Sequence, residues 1–191
     1  MADDRTWTRR DFVRLGALLP AVAGVIGAMA VPAEAAAAAP GPAQAVRELA
    51  FYNLHTDERL KTVYWSGGEY VPGALDEINH VLRDFRTNTV KPIHTDLLDL
   101  LHRLSARLET SKPFVIISGY RTPATNAMLR HRSEGVAKNS LHMQAMAADI
   151  RVPGRDLRVV HRAAIDLRGG GVGYYPHSDF VHVDVGRVRC W

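Results

Sequence analysis

The sequence predicts one α+β domain in which a small antiparallel sheet packs against helices. Leucine-rich stretches with helical spacing and short β-rich runs follow one another without a regular alternation, which is typical of this class. The length of 191 residues suits a single domain. Hydrophobic content of 47% and charged content of 23% are ordinary for a globular protein.

The N-terminus reads as an export signal rather than part of the fold. Arg9 and Arg10 form a twin-arginine motif, an apolar stretch covers residues 15–31, and Ala33-Glu34-Ala35 resembles a cleavage site. Residues 1–35 are therefore predicted to be a twin-arginine signal peptide that sends the protein to the periplasm or cell envelope. The alternative is an uncleaved anchor, but the apolar stretch is short for a membrane helix, so no stable span is expected after processing.

After the signal, residues 36–46 are rich in Ala, Pro and Gly and are predicted to be a linker, which leaves 47–191 as the folded domain. The first elements of that domain are a predicted β-hairpin, residues 48–55 and 59–65, around a three-residue turn. Two predicted helices follow at 73–86 and 96–109.

In the second of these helices, Thr95 is the expected N-cap. The histidines on the two helices, His80 and His102, are interpreted as packing or surface residues, because leucines at this density form a core stripe.

The second half continues the mixture of strands and helices. Thr122 and Pro123 are the expected N-cap and first residue of its first helix. The Gly169-Gly170-Gly171 run is expected to close the last helix and to allow close chain approach. The predicted elements are a buried strand at 114–117, a helix at 124–132, a polar loop at 133–139, a strand at 147–152, a helix at 157–167, and paired strands at 172–175 and 180–185.

His142, Asp149 and His182 are the residue types that hold a catalytic zinc. Two histidines and one carboxylate supply three ligands and leave a fourth position for water. Small residues separate His142 from Asp149, and His182 and Asp184, two residues apart in a β-rich run, project from one strand face. Cys190 is the only cysteine, so neither an intrachain disulfide nor a cysteine-based zinc site is possible.

These motifs resemble a known family. Ser140-Leu-His142-Met-Gln-Ala145-Met-Ala147-Ala-Asp149 is similar to the Ser-x-His-x-x-Gly-x-Ala-x-Asp signature of the M15-type zinc peptidases, the hedgehog and D-Ala-D-Ala carboxypeptidase-like group. Ser118-Gly-Tyr-Arg121, the glycine-rich run ending in Tyr174-Tyr175-Pro176, and Phe180-Val-His182-Val-Asp184 resemble its exported DUF882 branch, which includes murein endopeptidases. One departure is Ala145, where the family has glycine.

The resemblance implies a hedgehog/D-Ala-D-Ala-peptidase-like fold and zinc as cofactor. It also implies an arginine, Arg121, that binds substrate or steadies the oxyanion. Two carboxylates are candidates for the proton carrier. Asp184 is favoured because it shares a strand face with His182, and Asp179 is the alternative because it stands three residues before His182. If Asp179 is the base, Asp184 becomes an orienting partner of His182.

Two functions of different class follow. The first is an exported zinc peptidase, an endopeptidase or carboxypeptidase, that hydrolyses amide bonds in peptidoglycan stem peptides or cross-links. The second is a non-catalytic, zinc-containing wall-binding module. The net charge of +4 suits an anionic polymer, and since no basic run with interleaved aromatics occurs, nucleic acid is not an expected partner. Serine or cysteine catalysis is disfavoured, because the chain has no Gly-x-Ser-x-Gly elbow and only a near-terminal thiol.

Overall fold

The computed structural model describes residues 46–133 and 135–191. The predicted signal peptide and all but the last residue of the predicted linker lie outside these ranges, so both stay predictions. Among the described residues, no helix is both long enough and apolar enough to cross a membrane.

The described chain forms a mixed α/β structure with an eight-stranded sheet in the order β3-β2-β1-β4-β5-β7-β6-β8. Most neighbouring strands are antiparallel, but β1 pairs parallel with β4 and β6 pairs parallel with β8. The strands are β1 (Arg47–Asn53), β2 (Arg59–Ser66), β3 (Glu69–Tyr70), β4 (Phe114–Ser118), β5 (Ala147–Arg151), β6 (Gly171–Tyr175), β7 (Phe180–Asp184) and β8 (Arg189–Cys190).

The mixture of helices and strands is as predicted, whereas the sheet is larger than expected and not purely antiparallel. The edge strands β3 and β8 have two residues each, too few to produce a hydrophobic pattern. The predicted pairing of residues 48–55 with 59–65 is confirmed as the β1–β2 hairpin, and the pairing of 172–175 with 180–185 is confirmed as the β6–β7 hairpin.

The described residues contain four α-helices: α1 (Pro72–Val81), α2 (Thr95–Arg107), α3 (Pro123–Arg132) and α4 (Leu157–Asp166). The N-cap of α3 is Thr122, with Pro123 at the first helical position, as predicted. The N-cap of α2 is His94 rather than Thr95, because the His94 ring accepts the hydrogen bond from the Asp96 amide. After α4 the left-handed residue is Arg168, at φ 49°, so no glycine terminates that helix.

Helix α1 ends four to five residues before the predicted limit of 86, because the chain there finds other hydrogen-bond partners. The Leu82 carbonyl accepts from the Tyr120 amide at 2.8 Å. Asp84 is 1% exposed and accepts from both the amide and the hydroxyl of Thr122, each at 2.8 Å. These bonds attach the segment 82–94 to the start of α3, where it forms part of the wall of a cleft.

The core lies on one face of the sheet. Strand residues that pair across this face, including Phe51 with Phe114 and Ile150 with Val181, belong to the same buried cluster as residues of α1, α2 and α4. Since successive side chains in a strand alternate between faces, the intervening residues of β5 and β7 face away from these helices. The intervening residues include Asp149, His182 and Asp184, so the polar site and the core occupy opposite faces.

Candidate metal centre

The sheet register brings two of the predicted ligands together. Asp149 on β5 and His182 on β7 are directly paired across the antiparallel ladder. His142 comes from a single 3₁₀ turn, Leu141–Gln144, which enters β5 and is capped by Ser140. All three side chains are buried, with His142 2%, Asp149 3% and His182 8% exposed. The three predicted metal ligands therefore lie in one cluster.

Three donor atoms converge in this cluster. His142 Nε2 lies 3.2 Å from Asp149 Oδ1 and 3.2 Å from His182 Nδ1, and His182 Nδ1 lies 2.9 Å from Asp149 Oδ1. Zinc bonds to nitrogen and carboxylate oxygen are about 2.0–2.2 Å, so neighbouring ligands of a tetrahedral zinc are about 3.3 Å apart. The observed separations fit a tetrahedral zinc with three protein ligands.

The protonation of His142 also favours a cation. Its Nδ1 lies 2.7 Å from the Gly119 carbonyl, which can only accept, so Nδ1 carries the proton. Burial lowers the pKa of His142, so the ring is neutral and Nε2 presents a lone pair to Asp149. A metal ion between these two acceptors would turn a repulsive contact into two coordinate bonds.

Asp149 stays ionised in this environment. Burial raises the pKa of its carboxyl, but the His142 and His182 rings and the Arg121 guanidinium outweigh burial and hold the pKa well below its usual range. Arg121 Nη2 forms a short ion pair with Asp149 Oδ2, the oxygen that is not shared with the histidines. Arg121 Nε donates to Ser118 Oγ at 2.7 Å. The predicted substrate arginine is thus also a partner of a predicted metal ligand.

Asp184 lies behind His182, on the side away from the donor cluster. It is 0% exposed, and His182 Nε2 donates to its Oδ2 at 3.0 Å. Arg189 donates to both carboxylate oxygens, and the amides of Gly171 and Gly186 donate to Oδ1 at 2.9 Å each. The Gly171 contact is tight, because a Cβ there would meet the Asp184 and Arg189 side chains. Every oxygen of the sequence-favoured base is already hydrogen-bonded.

The pKa values of this pair follow from these contacts. Burial raises the pKa of Asp184, but the bonds from His182, Arg189 and the two amides outweigh burial and keep its pKa well below the usual range. Burial lowers the pKa of His182, but its contacts with Asp149 and Asp184 outweigh burial and raise it. A carboxylate paired in this way orients the imidazole so that Nδ1 faces the donor cluster, as carboxylate–histidine–metal arrangements do.

Asp179, the alternative base, lies in the turn between β6 and β7. It adopts φ 53°, its side chain is 64% exposed, and Arg151 Nε lies 3.0 Å from its Oδ2. Its neighbours Ser178 and Phe180 both line the cleft above the donor cluster. The described contacts leave Asp179 with one side-chain ion pair at the surface, in contrast to the five hydrogen bonds of Asp184.

Ala145 ends the 3₁₀ turn in the left-handed conformation, at φ 57° and ψ 32°. This is the conformation that glycine adopts without a steric cost, so alanine here costs roughly 1 kcal/mol. The Ala145 carbonyl accepts from the His94 amide at 3.0 Å, and the residue is fully buried. The departure from the family motif therefore leaves the turn and its histidine in place.

The donor cluster opens into a cleft of about 400 Å³. Three described residues that shape it were not singled out from the sequence: Arg86, Arg189 and Trp191. Trp191 Nε1 donates to the Tyr175 hydroxyl at 2.8 Å, and its ring lies 5.3 Å from that of His182. Short strand β8, which carries Arg189 and precedes Trp191, has no sequence pattern that would reveal it.

The protein has a mixed α/β fold with a buried His–Asp–His cluster that opens into a cleft. Two histidines and one carboxylate are the donor set typical of a mononuclear metalloenzyme. The family model described as "Peptidoglycan L,D-endopeptidase MepK" matches residues 41–191. The chain is 44% identical over 183 residues to the peptidoglycan L,D-endopeptidase MepK of Escherichia coli K12, covering 96% of each chain. The probable peptidoglycan L,D-endopeptidase MepK of Haemophilus influenzae is 41% identical over 146 residues, 76% of this chain and 78% of that one.

The chain belongs to this M15-type family, as its motifs predicted.

Proposed function

We propose that this protein is a zinc-dependent peptidoglycan L,D-endopeptidase of the bacterial envelope, with a hedgehog/D-Ala-D-Ala-peptidase-like domain. The observation that carries the proposal is the convergence of His142 Nε2, Asp149 Oδ1 and His182 Nδ1 at the separations of a tetrahedral zinc site. The names of the relatives supply the substrate class. A mixed sheet with this donor set in an open cleft suits hydrolysis of an extended peptide.

His142, Asp149 and His182 would hold the metal. Zinc in such a site lowers the pKa of a water molecule and polarises a carbonyl, which is the chemistry that amide hydrolysis needs. Arg121 orients Asp149 through Oδ2. It retains an Nη1 group for which the described residues offer no hydrogen-bond partner, so that group is available to an oxygen of the substrate. The Gly119 carbonyl holds His142 in the tautomer that leaves Nε2 unprotonated.

The proton carrier in this proposal is Asp179, and Asp184 is a positioning residue. Asp184 has no unoccupied oxygen and a depressed pKa, so it is a poor acceptor for a water proton. Asp179 is exposed, is held by one ion pair, and is flanked by two residues that line the cleft. Asp179 is not itself among the residues that line the cleft, so the proposal requires its exposed carboxylate to leave Arg151 and turn towards His182. This reverses the preference drawn from the strand pattern.

The test is digestion of purified peptidoglycan with the zinc-loaded protein lacking residues 1–35, followed by mass spectrometry of the products. We expect cleavage of L,D bonds in cross-linked stem peptides and no change in the glycan strands. Bound zinc without any released peptide would favour the wall-binding module instead. Release of only terminal residues would identify a carboxypeptidase.

We further propose export by the twin-arginine pathway, which rests on residues 1–35 of the sequence. Replacing Arg9 and Arg10 together with lysine keeps the charge but removes the motif that the export receptor reads. The precursor is expected to stay in the cytoplasm, measured by immunoblotting of cell fractions. Replacing Arg5 and Arg14 with lysine is the matched control. Unchanged export of the Arg9/Arg10 variant would leave an ordinary secretory signal.

A further inference from the structure

Among the described residues, three arginines line the cleft, but their partners differ. Arg121 is paired with Asp149, and Arg189 is paired with Asp184. Arg86 forms no ion pair with any carboxylate among the residues that the structure describes. Arg121 and Arg189 keep their carboxylate partners in the proposed metal site, so Arg86 is the one of these three arginines that has no ion pair with a described carboxylate.

The side chain of Arg86 is exposed, and its backbone is held by the buried carboxylate of Asp84. Its backbone amide donates to Asp84 Oδ1 at 3.0 Å, and Asp84 is anchored to Thr122 at the start of α3. The Arg86 guanidinium lies 4.2 Å from the centre of the Phe85 ring, which also stacks on His55 at 4.0 Å. His55 Nε2 in turn lies 3.0 Å from the Ile117 carbonyl, and both residues line the cleft. The exposed guanidinium therefore lies against a stack of two rings, Phe85 and His55, beside the cleft.

The electrostatic surroundings of Arg86 favour an anion. Partial burial lowers the pKa of its guanidinium, Asp84 opposes this, and the positive charges of Arg121 and Arg132 add to the lowering. Within the described part of the cleft lining, Asp149 is the one carboxylate, and it is shared between Arg121 and the metal ligands. A divalent metal would add further positive charge. Among the described residues of its lining, the cleft therefore has an excess of positive charge on the Arg86 side.

We propose that Arg86 is the subsite for a free carboxylate of the peptide substrate. A planar guanidinium recognises a carboxylate through two parallel hydrogen bonds, which gives orientation as well as affinity. The enzyme then prefers a stem peptide with an ionised carboxyl group near the bond to be cut over the same peptide with that group amidated. This inference rests on the proposed function and specifies the substrate of the same site.

The test is a two-by-two comparison of enzyme and substrate. Two synthetic cross-linked stem peptides, identical except for a carboxylate or a carboxamide beside the scissile bond, are cleaved by the wild type and by Arg86→Gln. Hydrogen bonds to a charged group suggest that the wild type prefers the acid about 10- to 100-fold in kcat/KM. Arg86→Gln should cleave the acid and the amide peptide equally fast, at about the rate at which the wild type cleaves the amide peptide. Arg86→Lys should retain part of the preference for the acid.

Arg103→Gln, an exposed arginine on α2 outside the cleft, is the matched control and should keep the full preference. Circular dichroism checks that each variant is folded. An acid preference that survives in Arg86→Gln, or that is absent in the wild type, would overturn the subsite.

Calorimetric binding of the same two peptides at low temperature separates this inference from the proposed function. Turnover without an acid preference overturns the subsite alone. If neither peptide is cleaved but the acid peptide binds more tightly in an Arg86-dependent way, the endopeptidase proposal is overturned and the subsite is supported. Absence of both overturns the two proposals together.

Discussion

Replacing His142 or His182 with alanine is expected to abolish stoichiometric zinc binding and peptidoglycan cleavage. Each substitution removes one of three donors that lie 2.9–3.2 Å apart, and two donors cannot close a tetrahedral site. The loss of turnover should exceed the roughly 10²- to 10³-fold cost of removing one electrostatic stabilising group, because the metal supplies several such effects. The measurements are zinc per chain by atomic emission and product release from purified wall.

The matched control is His102→Ala. His102 lies on α2, and its ring contacts the Glu48 carbonyl at 3.3 Å, outside the donor cluster. This variant should keep one zinc per chain and full activity. Because the hydrophobic core lies on the opposite face of the sheet, the two ligand variants should remain folded by circular dichroism. Full zinc occupancy in both His142→Ala and His182→Ala would refute the site.

The cluster of His142, Asp149 and His182 could be predicted because its residue types stand in recognisable local motifs. The short segment between His142 and Asp149 contains three alanines, and the β-pattern around His182 places it and Asp184 on one strand face. The structure adds the register between β5 and β7, which pairs Asp149 with His182. That register depends on the whole sheet and has no signature within either strand.

The assignment of the base could not be settled by strand pattern. The alternation of side chains along β7 correctly places Asp184 on the same face as His182. It does not show which groups fill the space behind the His182 imidazole. Arg189 and the amides of Gly171 and Gly186 fill it. Gly171 begins β6, Gly186 follows β7, and Arg189 lies on β8. We therefore propose that Asp184, surrounded by donors, orients His182 rather than accepting a proton.

The end of α1 also depends on partners that are distant in sequence. Leu82 and Phe85 continue the helical spacing of α1, so periodicity extends the helix to 86. The competing partners, the Tyr120 amide and Thr122, are nearly 40 residues away in sequence. These long-range hydrogen bonds end the helix and place Arg86 in the cleft.

The last prediction separates the two carboxylates. Asp179→Asn removes the proposed proton carrier while leaving the donor cluster untouched, so zinc affinity should be unchanged. Turnover should fall by about 10²- to 10⁴-fold, mainly in kcat, as expected for a general acid–base group. The measurements are zinc titration against a competing chelator and steady-state cleavage of a cross-linked stem peptide. Wild-type turnover in Asp179→Asn would exclude it as the base.

Asp184→Asn should give the opposite pattern. In either amide orientation the new NH₂ faces groups that are themselves donors, and Arg189 loses its counter-charge. Breaking this pair should cost roughly 3 kcal/mol of stability, at the low end for a buried pair because the Arg189 side chain is still 35% exposed. Zinc affinity should fall about 10- to 100-fold as His182 loses its orienting partner, and turnover should largely recover at saturating zinc. If zinc affinity and stability are instead unchanged while turnover falls, Asp184 takes the proton and Asp179 is a residue of the turn.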